Sequence, residues 1–162
     1  MRGRRSRSSW QRTTRTSVTA ADPGRVVAVD VGTKKVGLAM SDPLRLFAQP
    51  VGTFGDREAL DKLKDLAQAD GIALAVVGWP LTEDGREGKA TRMVNIYIRR
   101  MRKAVPGLKV LRQDERYTSE EARARLSEAG SRGKVDTMAA GIILQEYLDS
   151  QPQPAPGNVS LD

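Results

Sequence analysis

The sequence predicts an α/β fold in which a mixed sheet carries helices on both faces. The first three strand-like segments, 26–31, 36–41 and 46–54, are joined by short turns and therefore form an antiparallel meander. Further along the chain, helical and strand-like segments alternate, which is typical of parallel strands with crossover helices covering the sheet. With 162 residues, the chain can form one such domain with a full core but not two of ordinary size.

Local residue types set the limits of the individual elements. Pro50 shortens the third strand or places it at a sheet edge. The next helix has Asp56 as its candidate N-cap and Gly71 just past its end. Residues 73–78 are continuously apolar, as expected of a central parallel strand. The remaining predicted elements are a helix over 88–105, a strand over 108–113, and helices over 118–129 and 135–148.

Two tails flank the predicted domain. Residues 1–24 are polar, basic and aperiodic, and residues 150–162 begin with a Pro-rich run, so we expect both to be disordered around a domain over 25–149. The formal charge is +7, but residues 1–20 contain six arginines and no acid, so the rest of the chain has a net charge of only +1. The basic character therefore belongs mainly to the N-terminal tail, for which an organelle transit peptide is an alternative interpretation.

The absence of Cys and His narrows the possible chemistry. It excludes disulfides, thiolate nucleophiles and Cys-ligated zinc, and it removes the usual general base. Any acid–base or metal chemistry must therefore use carboxylates, Lys, Tyr, hydroxyls or water. No apolar run approaches the roughly 18 to 20 residues needed to span a bilayer. We expect a cytoplasmic protein that has no membrane partner.

Acidic residues lie at three predicted element ends: Asp30, Asp114–Glu115 and Asp136. A carboxylate placed in a buried strand loses its water, which costs several kcal/mol unless a partner or a cation compensates it. The carboxyl ends of the strands share one edge of an open sheet, so these acids can meet there. Each also has a purely structural interpretation: Asp30 as a turn residue, Glu115 as a surface ion-pair partner, and Asp136 as an N-cap.

Basic residues are predicted to surround these acids, where they could hold phosphates. The candidates for binding nucleic acid are Lys34, Lys35, Arg86, Lys89, Arg116, Arg132 and Lys134. The helix over 88–105 has an apolar stripe formed by Ala90, Met93, Val94, Tyr97, Met101 and Ala104. The polar face opposite to it contains Arg92, Asn95, Arg99, Arg102 and Lys103. We interpret that polar face first as a solvated surface.

Four segments, in this order and spacing, resemble the YqgF or RuvX family: 27–39 (VAVDVGTKKVGLA), 77–85 (VGWPLTEDG), 114–118 (DERYT) and 135–140 (VDTMAA). The resemblance covers about residues 25–149. Trp79 departs from it, since a smaller or aliphatic residue is expected at that position.

The resemblance implies an RNase H-like fold, related to Holliday junction resolvases of the RuvC kind, and a divalent-metal nuclease. It places Asp30, Glu115 and Asp136 at the catalytic and metal-binding positions, with Asp114 as the alternative to Glu115. Because all three are oxygen ligands, the expected cofactor is Mg²⁺ or Mn²⁺, bound as one or two ions.

The resemblance also implies the substrate, without deciding between two. The first is the 5′ end of precursor 16S ribosomal RNA, processed in ribosome biogenesis, with ribosomal precursor particles as partners. The second is a Holliday junction in DNA recombination or repair. Junction resolution normally needs a homodimer, whereas trimming one RNA end needs only a monomer.

Two other classes of protein compete with a nuclease. One is a non-catalytic RNA- or ribosome-binding protein that uses its Arg-rich tail, which would bind by charge. The other is an actin-like ATP-binding enzyme, whose phosphate-binding hairpin resembles residues 30–33. That class is disfavoured because the chain has no room for a second lobe.

Overall fold

The structure, a computed structural model, describes residues 24–115 and 135–152, apart from the side chains of residues 135–138. Five strands and three helices lie in these two ranges. They are β1 (Arg25–Val31), β2 (Val36–Ser41), β3 (Ala48–Phe54), α1 (Asp56–Ala69), β4 (Ile72–Trp79), α2 (Lys89–Ala104), β5 (Val110–Asp114) and α3 (Val135–Ser150). The predicted helix over 118–129 and most of both tails lie outside the described residues.

The strands form one mixed sheet in the order β3-β2-β1-β4-β5. β1 and β3 each pair antiparallel with β2, and β4 pairs parallel with both β1 and β5. The predicted meander and the central parallel strand are therefore confirmed. Pro50 lies in β3 at the sheet edge, where its missing N–H costs no ladder bond to a further strand.

Alternation of side chains along the strands builds a core on each face of the sheet. On one face, Val27 and Val29 pack with Leu63 of α1 and Met101 of α2. On the other face, Val26 and Ala28 of β1 pack with residues of α3 that include Ala140, Leu144 and Leu148. Because successive strand residues point to opposite sides, one strand sequence supplies both cores. Helices on both faces are confirmed.

Several boundaries differ from the sequence predictions for local reasons. Asp56 is the first residue of α1 rather than its N-cap, which is Gly55 and has no side-chain cap bond. β3 begins at Ala48 rather than at 46, because the backbone N–H groups of Leu46 and Phe47 donate to the Asp42 carboxylate and form a turn instead. Gly71 does follow α1, with a positive φ of 76° that suits glycine.

Buried polar contacts fix how the helices sit. Gln145 of α3 is 1% exposed; it accepts a hydrogen bond from the backbone N–H of Ala48 and donates one to the carbonyl of Leu46. Tyr97 of α2 donates to the carbonyl of Asp56 at 2.8 Å, and burial raises its pKa to about 12. Over the residues described, no helix is both long and apolar enough to cross a membrane.

Candidate active site

Asp30 projects from β1 on the face covered by α3. Val27 and Val29 pack against α1 and α2, while Val26 and Ala28 pack against α3, so strand alternation puts Asp30 on the α3 side. Its partner in the antiparallel ladder is Gly37, which has no side chain. The carboxylate of Asp30 therefore has open space beside it instead of a cross-strand neighbour.

Glu115 approaches the same place from β5. In the parallel ladder Gln113 pairs with Gly78, and Gln113 donates to the carbonyl of Ile143 in α3, so Gln113 faces α3. Asp114 pairs with Trp79 and faces the opposite side, while Glu115, one residue further, faces α3 again. Of the two adjacent acids, the structure thus places Glu115 beside Asp30.

Gly78 makes room for the Glu115 side chain. A Cβ atom added to Gly78 would collide with the Glu115 carboxylate and would lie only 2.9 Å from Cδ1 of Ile143. The backbone N–H of Glu115 also donates to the carbonyl of Trp79 at 3.2 Å, which holds the residue at the end of β4. The Glu115 carboxyl group therefore lies directly on the backbone of β4, in a space that a larger residue at 78 would fill.

The site is electrostatically unfavourable for two ionised carboxylates. Burial, the charge of Asp30, a hydrogen bond between the two side chains and the charge of Asp114 together raise the pKa of Glu115 to about 7. Glu115 therefore keeps its proton up to a pH well above the range in which carboxylic acids usually ionise, and in this protonated form it donates a hydrogen bond to the Asp30 carboxylate. Perturbed carboxyl pairs of this kind are characteristic of functional sites.

The backbone of Asp136 lies in the first turn of α3, and its side chain lies outside the described residues. Ile143 contacts the Gly78 position near the carboxyl end of β4, whereas Gln145 and Leu148 lie beside residues 44–48 at the other end of the sheet. The helix therefore runs antiparallel to β1, with its first turn at the end nearer Asp30 and Glu115.

The predicted phosphate-binding residues divide into three groups. Lys34 and Lys35 line a hollow of about 330 Å³ that also contains Asp30. Arg86 is exposed in the loop before α2 and pairs with Asp84 at 3.1 Å, and Lys89 lines a different groove. The other three lie outside the described residues: Arg116, Arg132 and Lys134.

A hard divalent cation suits this donor set. The chain has no His or Cys, and two carboxylates that share one proton offer oxygen ligands and an excess of negative charge. In the part of the chain that the structure describes, no three acidic side chains are placed so that they could hold a metal ion together. The third predicted ligand, Asp136, belongs to the side chains that are not described, so the three-carboxylate site stays a prediction.

Sequence reasoning missed the part played by Gly78. A glycine inside the otherwise apolar strand β4 indicates close approach by another group, and here that group is the Glu115 carboxyl. The sequence also offered no explanation for Trp79, which departs from the residue type expected at that position in the family. Trp79 is 8% exposed, and the Arg112 guanidinium stacks on its ring at 5.0 Å, so the indole is part of the core beneath α2.

The sheet order and the helices on both faces define an RNase H-like fold. A solved structure with this fold is Thermus thermophilus RuvC in complex with a Holliday junction substrate. It matches this chain with a TM-score of 0.50 and 13% sequence identity, and the match covers 77% of this chain and 93% of the RuvC chain. The likeness at this identity concerns the fold.

The chain belongs to the RuvX family, whose model, described as Holliday junction resolvase, matches residues 24–150. A relative from Salinibacter ruber is 54% identical over 138 residues, covering 81% of this chain and 96% of the relative. Another from Chlorobaculum tepidum is 39% identical over 133 residues, covering 78% and 94%. Both bear the name "Putative pre-16S rRNA nuclease".

Proposed function

We propose that this protein is a divalent-metal-dependent endonuclease that cleaves a phosphodiester bond near the 5′ end of precursor 16S ribosomal RNA. The observation that carries the proposal is the Asp30–Glu115 carboxyl pair, held over Gly78 at the carboxyl edge of the sheet. The substrate is proposed from the names of the Salinibacter and Chlorobaculum relatives. Such a nuclease would work in the cytoplasm, on free RNA or on ribosomal precursor particles.

Asp30, Glu115 and Asp136 are the proposed ligands of Mg²⁺ or Mn²⁺. When bound, the cation would supply Lewis acidity, which lowers the pKa of a water nucleophile and stabilises charge on the leaving oxygen. The protein itself supplies the geometry. Gly78 leaves room for the Glu115 carboxyl, and the pairing of Asp30 with Gly37 leaves space beside the Asp30 carboxylate.

The proposed role of the hairpin turn is to hold the substrate backbone. Lys34 and Lys35 are exposed and share the hollow of Asp30, so their ammonium groups can bind phosphates next to the scissile bond. In the absence of a cation, protonated Glu115 would donate a hydrogen bond to Asp30. Glu115 would release this proton when a cation binds, because a carboxyl group must be ionised to act as a ligand.

Replacing Asp30 by Asn tests the site. The variant keeps the size of the side chain, so we expect the fold to be retained and cleavage of a model pre-16S RNA with Mg²⁺ or Mn²⁺ to be lost. Activity is measured on labelled RNA, and circular dichroism checks the fold. An exposed acid on α1 provides the control variant, Asp65→Asn, which should cleave as the parent does. Metal-dependent cleavage retained by Asp30→Asn would refute the assignment.

Junction resolution is the second candidate, and it is favoured by the description of the family model. A resolvase makes two symmetric cuts and normally acts as a two-fold dimer. The same preparation should therefore be given a synthetic four-way junction, and its mass in solution measured by light scattering. Paired symmetric nicks by a dimer, without cleavage of the RNA, would replace the proposed substrate by a junction.

A further inference from the structure

A second groove lies next to the hairpin turn. It has a volume of about 320 Å³ and runs between residues Gly32 and Thr33 of the turn and one face of α2, which contributes Lys89, Arg92, Met93 and Ile96. We refer to it as the α2 groove. Gly32 and Thr33 also line the hollow that contains Asp30, so the two depressions meet at the turn.

The charge in the α2 groove is positive and available to a ligand. Lys89 and Arg92 are exposed, and within residues 24–115 and 135–152 neither side chain has an ion-pair partner. The acid of the groove, Asp56, is already paired with Arg100 at 3.5 Å. A ligand of this surface should therefore be an anion, and a polyanion could engage both cations.

The same groove also has an apolar element. Ile96 is a large aliphatic side chain that is 58% exposed, and Met93 beside it is half-buried. The groove is closed below by Tyr97, which is 3% exposed and fixed by its hydrogen bond to the carbonyl of Asp56. An apolar patch between cations matches a nucleotide, which has a flat base and a charged phosphate.

We propose that the α2 groove binds an unpaired nucleotide of the substrate strand, next to the nucleotides held at Asp30 and Glu115. The base packs on Ile96 and Met93, and the adjoining phosphates contact Lys89 and Arg92. A strand that leaves the hollow of Asp30 needs only to cross the turn at Gly32 and Thr33 to enter this groove. The inference rests on the proposed function, since it places a flanking subsite for the same substrate.

Binding, measured apart from cleavage, tests this subsite. The full chain with Asp30→Asn is titrated in EDTA against a fluorescein-labelled single-stranded RNA of about ten nucleotides, a length suited to one binding groove. We expect Arg92→Ala to weaken binding and to reduce the slope of log K against log salt by about 0.7, the loss of one phosphate contact. Ile96→Ser should weaken binding about fivefold without changing that slope, because it removes only a base contact.

Two controls separate the groove from general charge. Arg102 is exposed on the last turn of the same helix and outside the groove, so Arg102→Ala should bind RNA as the parent does. Ile96→Ser should leave binding of a duplex RNA of equal length unchanged, because paired bases are stacked and unavailable. The proposal is overturned if Ile96→Ser binds single strands normally, if Arg102→Ala behaves like Arg92→Ala, or if a polyglutamate peptide competes as well as RNA.

The outcomes also separate this inference from the proposed function. If Arg92→Ala and Ile96→Ser change RNA binding in the expected way but the parent cuts no RNA, the subsite is supported and the proposed nuclease activity is refuted. If the parent cuts RNA in an Asp30-dependent manner while the Ile96 variant binds normally, only the subsite fails.

Discussion

Glu115 should make the stability of the metal-free protein depend on pH. Its pKa rises from 4.5 to about 7 in the folded state, so the native protein binds this proton more tightly than the unfolded chain does. The free energy of unfolding contributed by Glu115 is therefore fully present below about pH 4.5 and is lost as the pH rises to about 7. Because the carboxyl group is partly exposed, we expect a loss on the order of 1 kcal/mol.

The measurement is the thermal midpoint in EDTA at about pH 5 and about pH 8, which bracket the raised pKa. The amide of Glu115→Gln does not ionise, so this variant should not lose stability as the pH rises. The difference between its thermal midpoint and that of the parent should therefore be larger at the higher pH than at the lower pH. The surface variant Glu58→Gln, on an exposed position of α1, should show no such trend. A difference between Glu115→Gln and the parent that stays constant with pH would contradict the raised pKa.

Gly78→Ala should damage the site more than the fold. The added methyl group meets the ends of two flexible side chains, Glu115 and Ile143, which can shift at a cost of about 1 kcal/mol. The displaced carboxyl group should lower cleavage by about 100-fold, since a shift near 1 Å has effects of this size. Initial rates on RNA and chemical denaturation measure the two effects.

Gly55→Ala is the matched control for Gly78→Ala. Its φ of −64° suits any residue, and its Cβ would meet only the Glu58 carboxylate, at an ordinary 3.7 Å. It should therefore cleave RNA as the parent does. If Gly78→Ala cleaves RNA normally and its stability keeps the pH dependence attributed to Glu115, the space over Gly78 is irrelevant to the reaction.

Among the elements, α3 depends on Gln145 for its position on the sheet. Gln145→Leu keeps the approximate volume but leaves the N–H of Ala48 and the carbonyl of Leu46 without their partner. An unsatisfied buried polar group costs about 1–3 kcal/mol, so we expect a loss of about 2–4 kcal/mol in the free energy of unfolding. Urea denaturation measures it, with Gln68→Leu on the exposed face of α1 as the control. Equal stabilities for the two variants would contradict this role.

The helices show how far periodicity alone can go. The apolar stripe predicted for α2 contained Val94, Tyr97 and Met101, which are buried, but it also contained Ala90, which is exposed, and it omitted Ile98, which is fully buried. The error follows from geometry, because the angle at which a helix packs on the sheet decides which flank of its stripe is covered. Ile96 could not be recognised as an exposed apolar residue for the same reason.

In the molecule as a whole, most of the net positive charge belongs to the N-terminal residues and not to the part of the chain that forms the candidate site. Six of the seven net positive charges lie in residues 1–20, whereas Lys34 and Lys35 lie beside Asp30 in the domain. Removing residues 1–22 should therefore weaken RNA binding at low salt but leave Asp30-dependent cleavage. Titrations and cleavage assays at two salt concentrations check this. Loss of nearly all affinity together with an absence of cleavage by the full chain would favour a non-catalytic binding protein.

For the described residues, the sequence by itself determined the order of strands and helices along the chain and the two-sided burial of the sheet, because alternation and helical periodicity are local properties. The lack of His and Cys likewise left oxygen atoms as the candidate metal ligands, because it is a property of composition. Only the tertiary structure decided that Glu115 rather than Asp114 lies beside Asp30, and that Gly78 leaves the space for it. The register between β4 and β5 sets this choice, and a shift of one residue would turn the other acid toward α3. Register depends on the packing of the whole sheet, which no short stretch of sequence specifies.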